Sequence, residues 1–374
     1  MTSAQWVLIV ASAGWVSFAY VGYPLLLWVL ARMAPRPIDD RRATPSISVI
    51  IAVHDGAAEI EEKLRNTLEA TYPERVEVLV ASDHSTDSTE SIVLGWPDER
   101  VRLVRNEGPR GKESAQAAAI AVATGEVLVF TDVSAQLSED ALLEIAAPFG
   151  DPKVGCVSSE DEVDSNGGEG AYVRYEMAIR RLESTCSSLI GVSGSFFAAR
   201  RSLCDPWPRE LASDFRTALE ASRRGLRAVS APGARARFRA VEDAAAEWPR
   251  KVRTVRRGIA VLLSYTDLLH PRHGAVALSL WGHKVARFTS PVALVVLLAT
   301  SLAAAPGSTI ASLLAAAQLV FYATGALALA SPAIQSHLAP RLAAFFLLVN
   351  ASMVVAWIYH LAGRRSVEWS PTRR

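Results

Sequence analysis

The chain has 374 residues, with 39 basic and 38 acidic side chains, and 50% of its residues are hydrophobic. This length allows one large domain or two modest ones. The near balance of charge gives no reason to expect nucleic acid as a partner, because nucleic-acid-binding surfaces are basic. The three cysteines show neither metal-ligand spacing nor a paired framework, so we expect reduced thiols rather than a disulfide scaffold.

An apolar segment near the start of the chain is predicted to cross a membrane. Residues 6–30 carry no charged side chain, and about 20 apolar residues span a bilayer. The length of the segment and the lack of a basic region before it disfavour a cleaved signal peptide. Residues 1–31 contain no Lys or Arg, whereas four arginines lie between residues 32 and 42. The positive-inside rule therefore predicts an external N-terminus and a following domain on the cytoplasmic side of the inner membrane.

From residue 46 the pattern changes to alternating strands and helices. Short apolar runs predict strands at 46–53, 76–81, 101–104 and 127–130. The segments between and after them predict helices at 57–71, 86–94, 113–123 and 139–149. Ser138 is the expected N-cap of the last of these helices. This alternation is typical of an α/β domain in which helices cover both faces of a mostly parallel sheet.

Beyond residue 159 the alternation is less regular. The sequence predicts, in chain order, a loop, an amphipathic helix, a strand, a helix and a strand at 165–170, 172–187, 191–200, 214–225 and 227–232. Residues 245–287 then combine basic residues with Trp and Leu, a composition that suits helices lying in the membrane interface. Three apolar segments that are long enough, or nearly so, to cross a bilayer follow at 289–305, 309–330 and 342–362.

The orientation of the last segments is open. One crossing before the α/β domain and three after it place the C-terminus outside, whereas the arginines of the tail favour the inside. Either the tail departs from the rule or one late segment is interfacial, and we predict four crossings. The predicted division is an N-terminal membrane helix, a linker, an α/β domain, interfacial helices, three membrane helices and a basic tail, at 1–33, 34–45, 46–244, 245–287, 288–363 and 364–374.

Three of the predicted strands end in a carboxylate. The strand at 46–53 runs into Asp55, the next runs into Asp83, and the strand at 127–130 runs into Asp132. Ligands of open α/β sheets bind at the carboxyl ends of the strands, and hard divalent cations prefer oxygen ligands. We therefore predict a pocket in which Asp55 and Asp83 bind a nucleoside and Asp132 binds Mg²⁺ or Mn²⁺. Such a pocket needs positive charge at the phosphates, and Lys112 is the candidate for it. Transfer to a hydroxyl also needs a general base, and Asp214 is the candidate for that role.

These motifs resemble those of the processive, membrane-bound members of glycosyltransferase family 2, the group of cellulose, chitin, hyaluronan and poly-N-acetylglucosamine synthases. The similar segments lie in the same order and at similar spacing, at 46–54, 81–87, 125–132, 191–201 and 213–215. The resemblance implies a GT-A (Rossmann-like) fold, a UDP-sugar donor, Mg²⁺ or Mn²⁺, inversion at the anomeric carbon and a cytoplasmic active site. It also assigns Val53 and His54 to the nucleotide-sugar site and Asp214 to catalysis.

The chain departs from the family pattern at several positions. The usual metal-binding Asp-x-Asp becomes Asp132 and Ser134, and a hydroxyl is a weaker ligand than a carboxylate. The family's Gln-x-x-Arg-Trp is replaced by a segment with three arginines that we expect to contact the donor diphosphate: Arg253, Arg256 and Arg257. Two further differences are His84, where glycine is usual, and Gly56, where glutamate is usual. The altered arginine segment weakens the expectation of a long-chain polymer product.

Together these features predict an inverting hexosyl- or N-acetylhexosaminyltransferase that moves a sugar from a UDP-sugar to a growing exopolysaccharide or a lipid-linked acceptor. One alternative is the addition of a single sugar to a lipid-linked acceptor. Another is a catalytically silent subunit that senses nucleotides or acts as a scaffold, an alternative supported by Ser134, His84 and Gly56. Membrane lipids are expected partners in each case, and partner subunits remain open.

Overall fold

The computed structural model of the protein describes residues 2–39, 41–164, 168–239 and 244–363. Within these residues, the alternating segments form one sheet of eight strands in the order β3-β2-β1-β4-β7-β6-β8-β5. The strands β1 to β8 are, in chain order, Ile47–Val53, Val76–Ser82, Val101–Arg105, Val127–Asp132, Gln136–Leu137, Val154–Asp164, Phe196–Arg200 and Arg227–Arg239. The helices that accompany the sheet are Ile60–Glu69, Thr89–Leu94, Lys112–Val122, Ala141–Ala146, Gly168–Cys186 and Ser213–Arg223.

The strands β1 to β4 run parallel to one another. β1 pairs with β2 on one side and with β4 on the other, and β2 pairs with β3. β7 then runs antiparallel to both β4 and β6, while β6 and β8 are parallel to each other. The predicted α/β class with a mostly parallel sheet is therefore confirmed. Because β1, β2 and β4 point the same way, the residues that follow them lie along one edge of the sheet.

The strands form where they do because both faces of the sheet are covered. Val49 and Ile51 of β1 face one apolar cluster, which also contains Ile60 and other residues of the helix after β1. Ile50 lies on the opposite face, in a cluster with Ala115 and two further alanines from the region of the helix Lys112–Val122. Small alanine side chains allow this helix to pack closely on the sheet. Burial on both faces explains why these strands are continuous apolar runs rather than alternating ones.

Four helices are long and apolar enough to cross a membrane, by length and composition, among the described residues: Ser3–Met33, Ala275–Gly307, Thr309–Ala330 and Leu338–Leu361. A further helix, Ala244–Ser264, connects the sheet to the last three of them. The predicted boundary at residue 287 falls inside the continuous helix Ala275–Gly307, whose first turns carry the basic residues that we had expected in a separate interfacial helix. The basic tail, 364–374, lies outside the described residues.

The first membrane helix packs tightly against the helix Ala275–Gly307. The Trp15 indole donates a hydrogen bond to Thr289 Oγ1 at 2.9 Å. A Cβ added to Gly282 would lie 2.1 Å from Cδ2 of Tyr23, so these two helices meet where one of them has no side chain. The last membrane helix joins the same group, because Trp357 Nε1 donates to the backbone oxygen of Phe288 at 2.9 Å.

Two local predictions are wrong. Ser138 does not cap the helix after β5, because its amide donates to the carbonyl of Arg235 and continues the pairing of β5 with β8. The helix Ala141–Ala146 instead begins after Asp140, which makes no side-chain capping bond. The predicted loop at 165–170 is also too long, since the helix Gly168–Cys186 begins within it. Residues 165–167 of that loop lie outside the described residues.

Candidate active site

The segment 106–112 connects the ends of β2 and β4. Asp83, just after β2, accepts hydrogen bonds from Asn106 Nδ2 at 2.7 Å and from the Gly111 amide at 2.8 Å. The next residue, Lys112, donates from Nζ to Asp132 Oδ1 at 2.5 Å at the end of β4. The segment 106–112 thus connects Asp83 and Asp132, two of the three carboxylates predicted to form a pocket.

Asp83 is engaged by the protein itself. Its residue is 1% exposed, and each of its carboxylate oxygens accepts a hydrogen bond from the segment 106–112. Gly111 has φ 146°, a conformation that residues with a Cβ rarely adopt, so the bond from its amide depends on glycine at this position. In this conformation Asp83 holds the segment that presents Lys112, rather than offering a free carboxylate to a nucleoside.

The turns after β1 and β2 adopt the left-handed conformation without glycine. Asp55 has φ 49° and His84 has φ 55°, and Asp and His are among the residues that tolerate this region best. The His84 position therefore shows why glycine suits the family pattern, and here the ring donates from Nε2 to the Gly108 carbonyl at 2.9 Å. His54 donates from Nδ1 to the Asp83 carbonyl at 2.7 Å. Asp55 is exposed and accepts from the Thr86 amide, and this hydrogen bond lowers its pKa.

Lys112 also connects Asp132 to Asp214. Its ammonium group donates to the Gly194 carbonyl at 2.9 Å as well as to Asp132. Asp214 also lies beside Gly194, because its Oδ2 is 3.1 Å from the position that a Cβ on Gly194 would occupy. Asp214 stands in the first turn of the helix Ser213–Arg223, where the helix dipole favours a negative charge. The candidate metal ligand and the candidate base are therefore close neighbours.

One cavity of about 500 Å³ contains most of the predicted site residues. Its lining includes Lys112, Asp132, Ser134, Asp214, Arg253 and Arg257. The predicted site residues that do not line it are Val53, His54, Asp55, Asp83 and Arg256. The first four of these lie along the neighbouring part of the same sheet edge. The cavity is also lined by Phe288, Val349 and Met353, which belong to two of the membrane-length helices, so it lies between the sheet and those helices.

The arginines of the segment 253–257 have different surroundings. Arg257 forms an ion pair with Glu113, which follows Lys112 in the sequence. Burial acts against the charged form of Arg257, but Glu113 and, after it, Asp214 outweigh this effect and raise the pKa. Burial lowers the pKa of Arg253. The segment thus places at least one firmly charged guanidinium group beside Asp214.

Sequence reasoning missed a buried lysine beneath the Asp132 turn. Lys63 is 0% exposed, and its Nζ donates to Thr131 Oγ1 at 2.9 Å and to the Ala135 carbonyl, which are the two ends of the turn that contains Asp132 and Ser134. Burial lowers its pKa to about 7. The available signal was its position, because Lys63 interrupts the apolar stripe of its helix, whose other buried residues are Ile60, Leu64 and Thr67.

Asp161, an acidic residue of the lining, was also missed. Asp161, on β6, accepts hydrogen bonds from Ser193 Oγ at 2.6 Å and from Ser195 Oγ at 3.0 Å. The Ser195 carbonyl in turn accepts the amide of Asp132 at 3.0 Å. Asp161 is therefore tied to the same backbone that supports the Asp132 turn. The serines at 193 and 195 were the signal in the sequence, but nothing in it indicated their partner.

The side chains of the site can hold a metal ion only together with oxygen ligands from a substrate. Among the residues that the structure describes, no group of three His, Cys, Asp or Glu side chains is placed to hold a metal. Asp132 and Ser134 both line the cavity and offer one carboxylate and one hydroxyl. Magnesium in phosphoryl-binding enzymes is commonly held by one or two carboxylates together with substrate phosphates. The side chains present fit that mode and do not form an all-protein cage.

The part of the chain that contains most of the site residues matches a known protein family. Residues 48–206 match the family model described as "Glycosyl transferase family 2". The succinoglycan biosynthesis protein ExoO of Rhizobium meliloti is 32% identical over 110 residues, which cover 29% of this chain and 30% of that protein. The UDP-Glc:alpha-D-GlcNAc-diphosphoundecaprenol beta-1,3-glucosyltransferase WfgD of Escherichia coli is 31% identical over 86 residues, covering 23% of this chain and 34% of its own length. The chain thus spans about a third of these curated relatives.

A solved structure is similar over nearly the whole chain. The mannosyltransferase PcManGT from Pyrobaculum calidifontis, in complex with GDP-Man and Mn²⁺, superimposes with a TM-score of 0.74 at 26% identity. The match covers 96% of this chain and 100% of that one, membrane-length helices included. The resemblance found in the sequence motifs is therefore confirmed at the level of the family, while the processive subgroup stays a prediction. Residues 48–206 therefore resemble a glycosyltransferase family 2 domain, and the chain has a GT-A-like fold.

Proposed function

We propose that the protein transfers a sugar from a nucleotide diphosphate sugar to a lipid-linked acceptor at the inner membrane. The observation that carries this proposal is the composition of the single cavity described above. Its lining contains the acidic and basic groups expected of a donor site, such as Lys112, Asp132 and Asp214, and apolar residues of membrane-length helices, such as Phe288 and Met353. A donor from the cytoplasm and an acceptor from the bilayer would meet there.

The donor half of the site is assigned by charge. Lys112, Arg253 and Arg257 supply positive charge in the lining for a diphosphate, and the exposed Asp55 at the edge of the sheet suits the nucleoside. A divalent cation held by Asp132, Ser134 and the diphosphate would neutralise the leaving group. The similar Pyrobaculum protein was solved with GDP-Man and Mn²⁺, whereas the name of the Escherichia coli relative specifies UDP-Glc. We favour a UDP-sugar, with a GDP-sugar as the alternative.

Asp214 is proposed as the general base of an inverting displacement. An acceptor hydroxyl beside its carboxylate loses its proton to Asp214 while the hydroxyl oxygen forms a bond to the anomeric carbon. The bond from that carbon to the diphosphate oxygen breaks, and the nucleotide diphosphate leaves with the electron pair. Arg257 lies near enough to Asp214 for their charges to interact. A single displacement of this kind inverts the configuration of the sugar.

The residue at position 257 bears on how many sugars are added to one acceptor. Arg257 stands where processive members of the family carry tryptophan, so this position offers no aromatic ring on which a sugar chain could stack. The Arg257 guanidinium group is instead paired with Glu113. This favours a single addition over the growth of an exopolysaccharide. Size analysis of the product from a radiolabelled donor separates the two, because one lipid-soluble band indicates a single addition and a ladder indicates a polymer.

The first prediction concerns Asp214. We expect D214N to lower the rate of transfer at least about 100-fold, because a positioned general base commonly contributes that much. The nucleotide should still bind with nearly unchanged affinity, since Lys112 and Asp132 remain. The measurement is transfer by detergent-solubilised protein with UDP- and GDP-sugars, with and without Mn²⁺, and calorimetry with UDP.

The matched control is D140N, which removes a carboxylate of the same type from an exposed position. It should transfer sugar like the unmodified protein. Unchanged turnover in D214N would refute the assignment of the base. If the unmodified protein transferred nothing and bound no nucleotide with Mn²⁺, the alternative of a silent scaffolding subunit would replace the proposed function.

A further inference from the structure

The cavity has a second group of cations on its membrane side. Lys284 and Arg287 lie one helical turn apart on the helix Ala275–Gly307 and line the cavity. Neither belongs to the motifs that resemble the family, and neither is needed for the donor site proposed above. Cations inside a segment of membrane length are costly to keep, so their presence calls for a function.

These two cations are incompletely matched by the protein. Arg287 donates from Nη1 to Glu176, but its Nε and Nη2 atoms are buried without a hydrogen-bond partner among the described residues, and the residue is 4% exposed. Lys284 makes no hydrogen bond or ion pair within the described part of the chain, and its ammonium group lies 5.1 Å from the centre of the Phe215 ring. A buried guanidinium with two unused donors, beside a lysine that forms no ion pair with a described residue, is an arrangement that favours an anion.

Glu183 and Glu176 lie close enough to Lys284 for their charges to interact, but neither forms an ion pair with it. Glu176 is engaged by other groups. Its carboxylate is shared between Arg287 and His283, whose other ring nitrogen contacts Glu183 at 2.9 Å. The pKa of Glu176 is well below its usual range because Arg287 and His283 outweigh the opposing effect of burial. Glu176 is therefore an anion already used by two partners.

The surroundings of Lys284 and Arg287 are apolar on the membrane side. Phe288 follows Arg287 directly, and Val349 and Met353 of the last membrane-length helix line the same cavity. On the other side, the Phe215 ring beneath the Lys284 ammonium belongs to the residue next to Asp214, and the Phe215 amide donates to the Asp214 carboxylate at 2.8 Å. The cations thus lie between an apolar wall and the candidate base.

We propose that Lys284 and Arg287 bind the phosphate or diphosphate group of a membrane-anchored acceptor, whose lipid chain lies along Phe288, Val349 and Met353. The sugar hydroxyl that this acceptor carries then reaches Asp214. This inference rests on the proposed function, because it names the class of acceptor that the same cavity takes. The two unused donors of Arg287 and the ammonium of Lys284 match the several oxygens of a phosphate.

The test is a binding measurement that needs no turnover. Farnesyl diphosphate is titrated into the full-length protein in neutral detergent, with saturating UDP and Mn²⁺ present to fill the donor site, and tryptophan fluorescence reports binding. We expect farnesyl diphosphate to bind more tightly than farnesol and more tightly than inorganic pyrophosphate. K284Q should weaken the binding of farnesyl diphosphate at least about tenfold, as expected for the loss of a charge-assisted contact, and K284R should restore most of it.

The control variant is K153Q, which removes a lysine from an exposed position outside the cavity and should bind farnesyl diphosphate like the unmodified protein. Three results would overturn the proposal. Equal affinity of K284Q and the unmodified protein would exclude Lys284 as a ligand. Equal affinity for farnesyl diphosphate and pyrophosphate would exclude a lipid as the source of the anion. Binding of farnesyl diphosphate only in a titration without UDP would mean that the probe occupies the donor site.

A kinetic measurement separates this inference from the proposed function. K284Q should raise the KM for N-acetylglucosaminyl diphosphoprenol without changing the KM for the donor. It should affect the KM for octyl N-acetylglucosaminide much less, because that acceptor carries no phosphate. Equal effects on both acceptors would overturn the anion site while leaving the transferase intact. Absence of transfer to any acceptor by the unmodified protein would refute the proposed function, and the binding result would then stand on its own.

Discussion

The turn that carries Asp132 depends on a residue that never reaches the cavity. Lys63 lies beneath this turn and donates to both of its ends, at Thr131 and Ala135. A fully buried lysine is costly in its charged form, yet its amine is held by two acceptors at fixed positions. We infer that Lys63 is a positioning residue, which sets the direction in which Asp132 and Ser134 face.

The buried lysine predicts a dependence of stability on pH. The pKa of Lys63 is lowered to about 7 by burial, whereas an unfolded lysine titrates at about 10.4. Between these values the unfolded chain binds the additional proton, so the free energy of unfolding rises with pH, by up to about 1.4 kcal/mol per pH unit. K63M removes this effect and loses the two hydrogen bonds at every pH. The melting temperature of the unmodified protein minus that of K63M should therefore be larger at about pH 9 than at about pH 7.

The measurement is thermal unfolding in detergent followed by tryptophan fluorescence across this range. Groups other than Lys63 titrate in both proteins, so their contributions cancel in the difference. A difference in melting temperature that stays constant with pH would show that Lys63 keeps its proton in the folded protein.

Single residues of the site were predictable to unequal degrees. The position of Asp132 followed from its strand, because parallel pairing of β1 and β4 fixes where that strand ends. The state of Asp83 did not follow, since its partners come from the segment 106–112, whose path no pattern revealed. Lys284 and Arg287 were visible only as basic residues near apolar ones, a pattern that an interfacial helix would share.

At the scale of helices, two membrane-length segments cross in close contact. Gly282, in a π-helical stretch at Leu280–Val285, meets the ring of Tyr23, which the structure places fully inside the protein. Tyr23 also donates from its hydroxyl to Glu183 at 2.5 Å. The crossing therefore fixes the first membrane helix against both the helix Ala275–Gly307 and the helix Gly168–Cys186.

We expect G282A to destabilise the protein by at least about 1–3 kcal/mol, the usual cost of overpacking a core. The added methyl group would lie 2.1 Å from the Tyr23 ring, so the two helices would have to separate. Thermal unfolding in detergent measures the effect. The matched control is G14A in the first membrane helix, where an added Cβ meets nothing within 4 Å. Identical melting of the two variants would contradict the close crossing.

The elements were predicted where periodicity was strong. The first four strands were found within a few residues of their observed ends, because buried apolar runs bounded by polar turns are a clear pattern. β7 begins at Phe196 rather than at residue 191, since the serines and glycines before it form the cavity wall around Gly194 and not a strand. The helix Ala275–Gly307 was divided in two because its charged residues hid its continuity. Two of those residues, His283 and Arg287, are buried and paired inside the protein.

At the scale of the whole molecule, one ion pair joins the sheet to the helix that leads into the membrane-length segments. Glu113 lies in the first turn of the helix Lys112–Val122 on one face of the sheet, and Arg257 lies on the helix Ala244–Ser264. The Glu113 side chain is 8% exposed, so loss of its charge would leave the guanidinium poorly matched. Glu113 is also within hydrogen-bonding reach of Ser213, next to Asp214.

E113Q should therefore lower the stability of the protein by about 3 kcal/mol, a typical cost of breaking one side of a buried pair. The same change should reduce transfer, because Arg257 and Asp214 depend on the same contact. The measurements are the melting temperature in detergent and the transfer rate. E107Q is the control, since Glu107 is an exposed residue of the segment 106–112. Similar stability of E113Q and E107Q would show that the pair does not hold the two parts together.

The cavity draws its walls from distant stretches of the chain. Residues up to Arg257 supply the charged groups assigned to the donor, and residues from Lys284 onward supply the cations and the apolar wall assigned to the acceptor. Selectivity for one reactant is thus encoded separately from selectivity for the other. Under the proposed function, substitutions in the late helices would change the acceptor while the donor stayed the same. Similarity confined to the early part of the sequence is therefore compatible with a wide range of products among relatives.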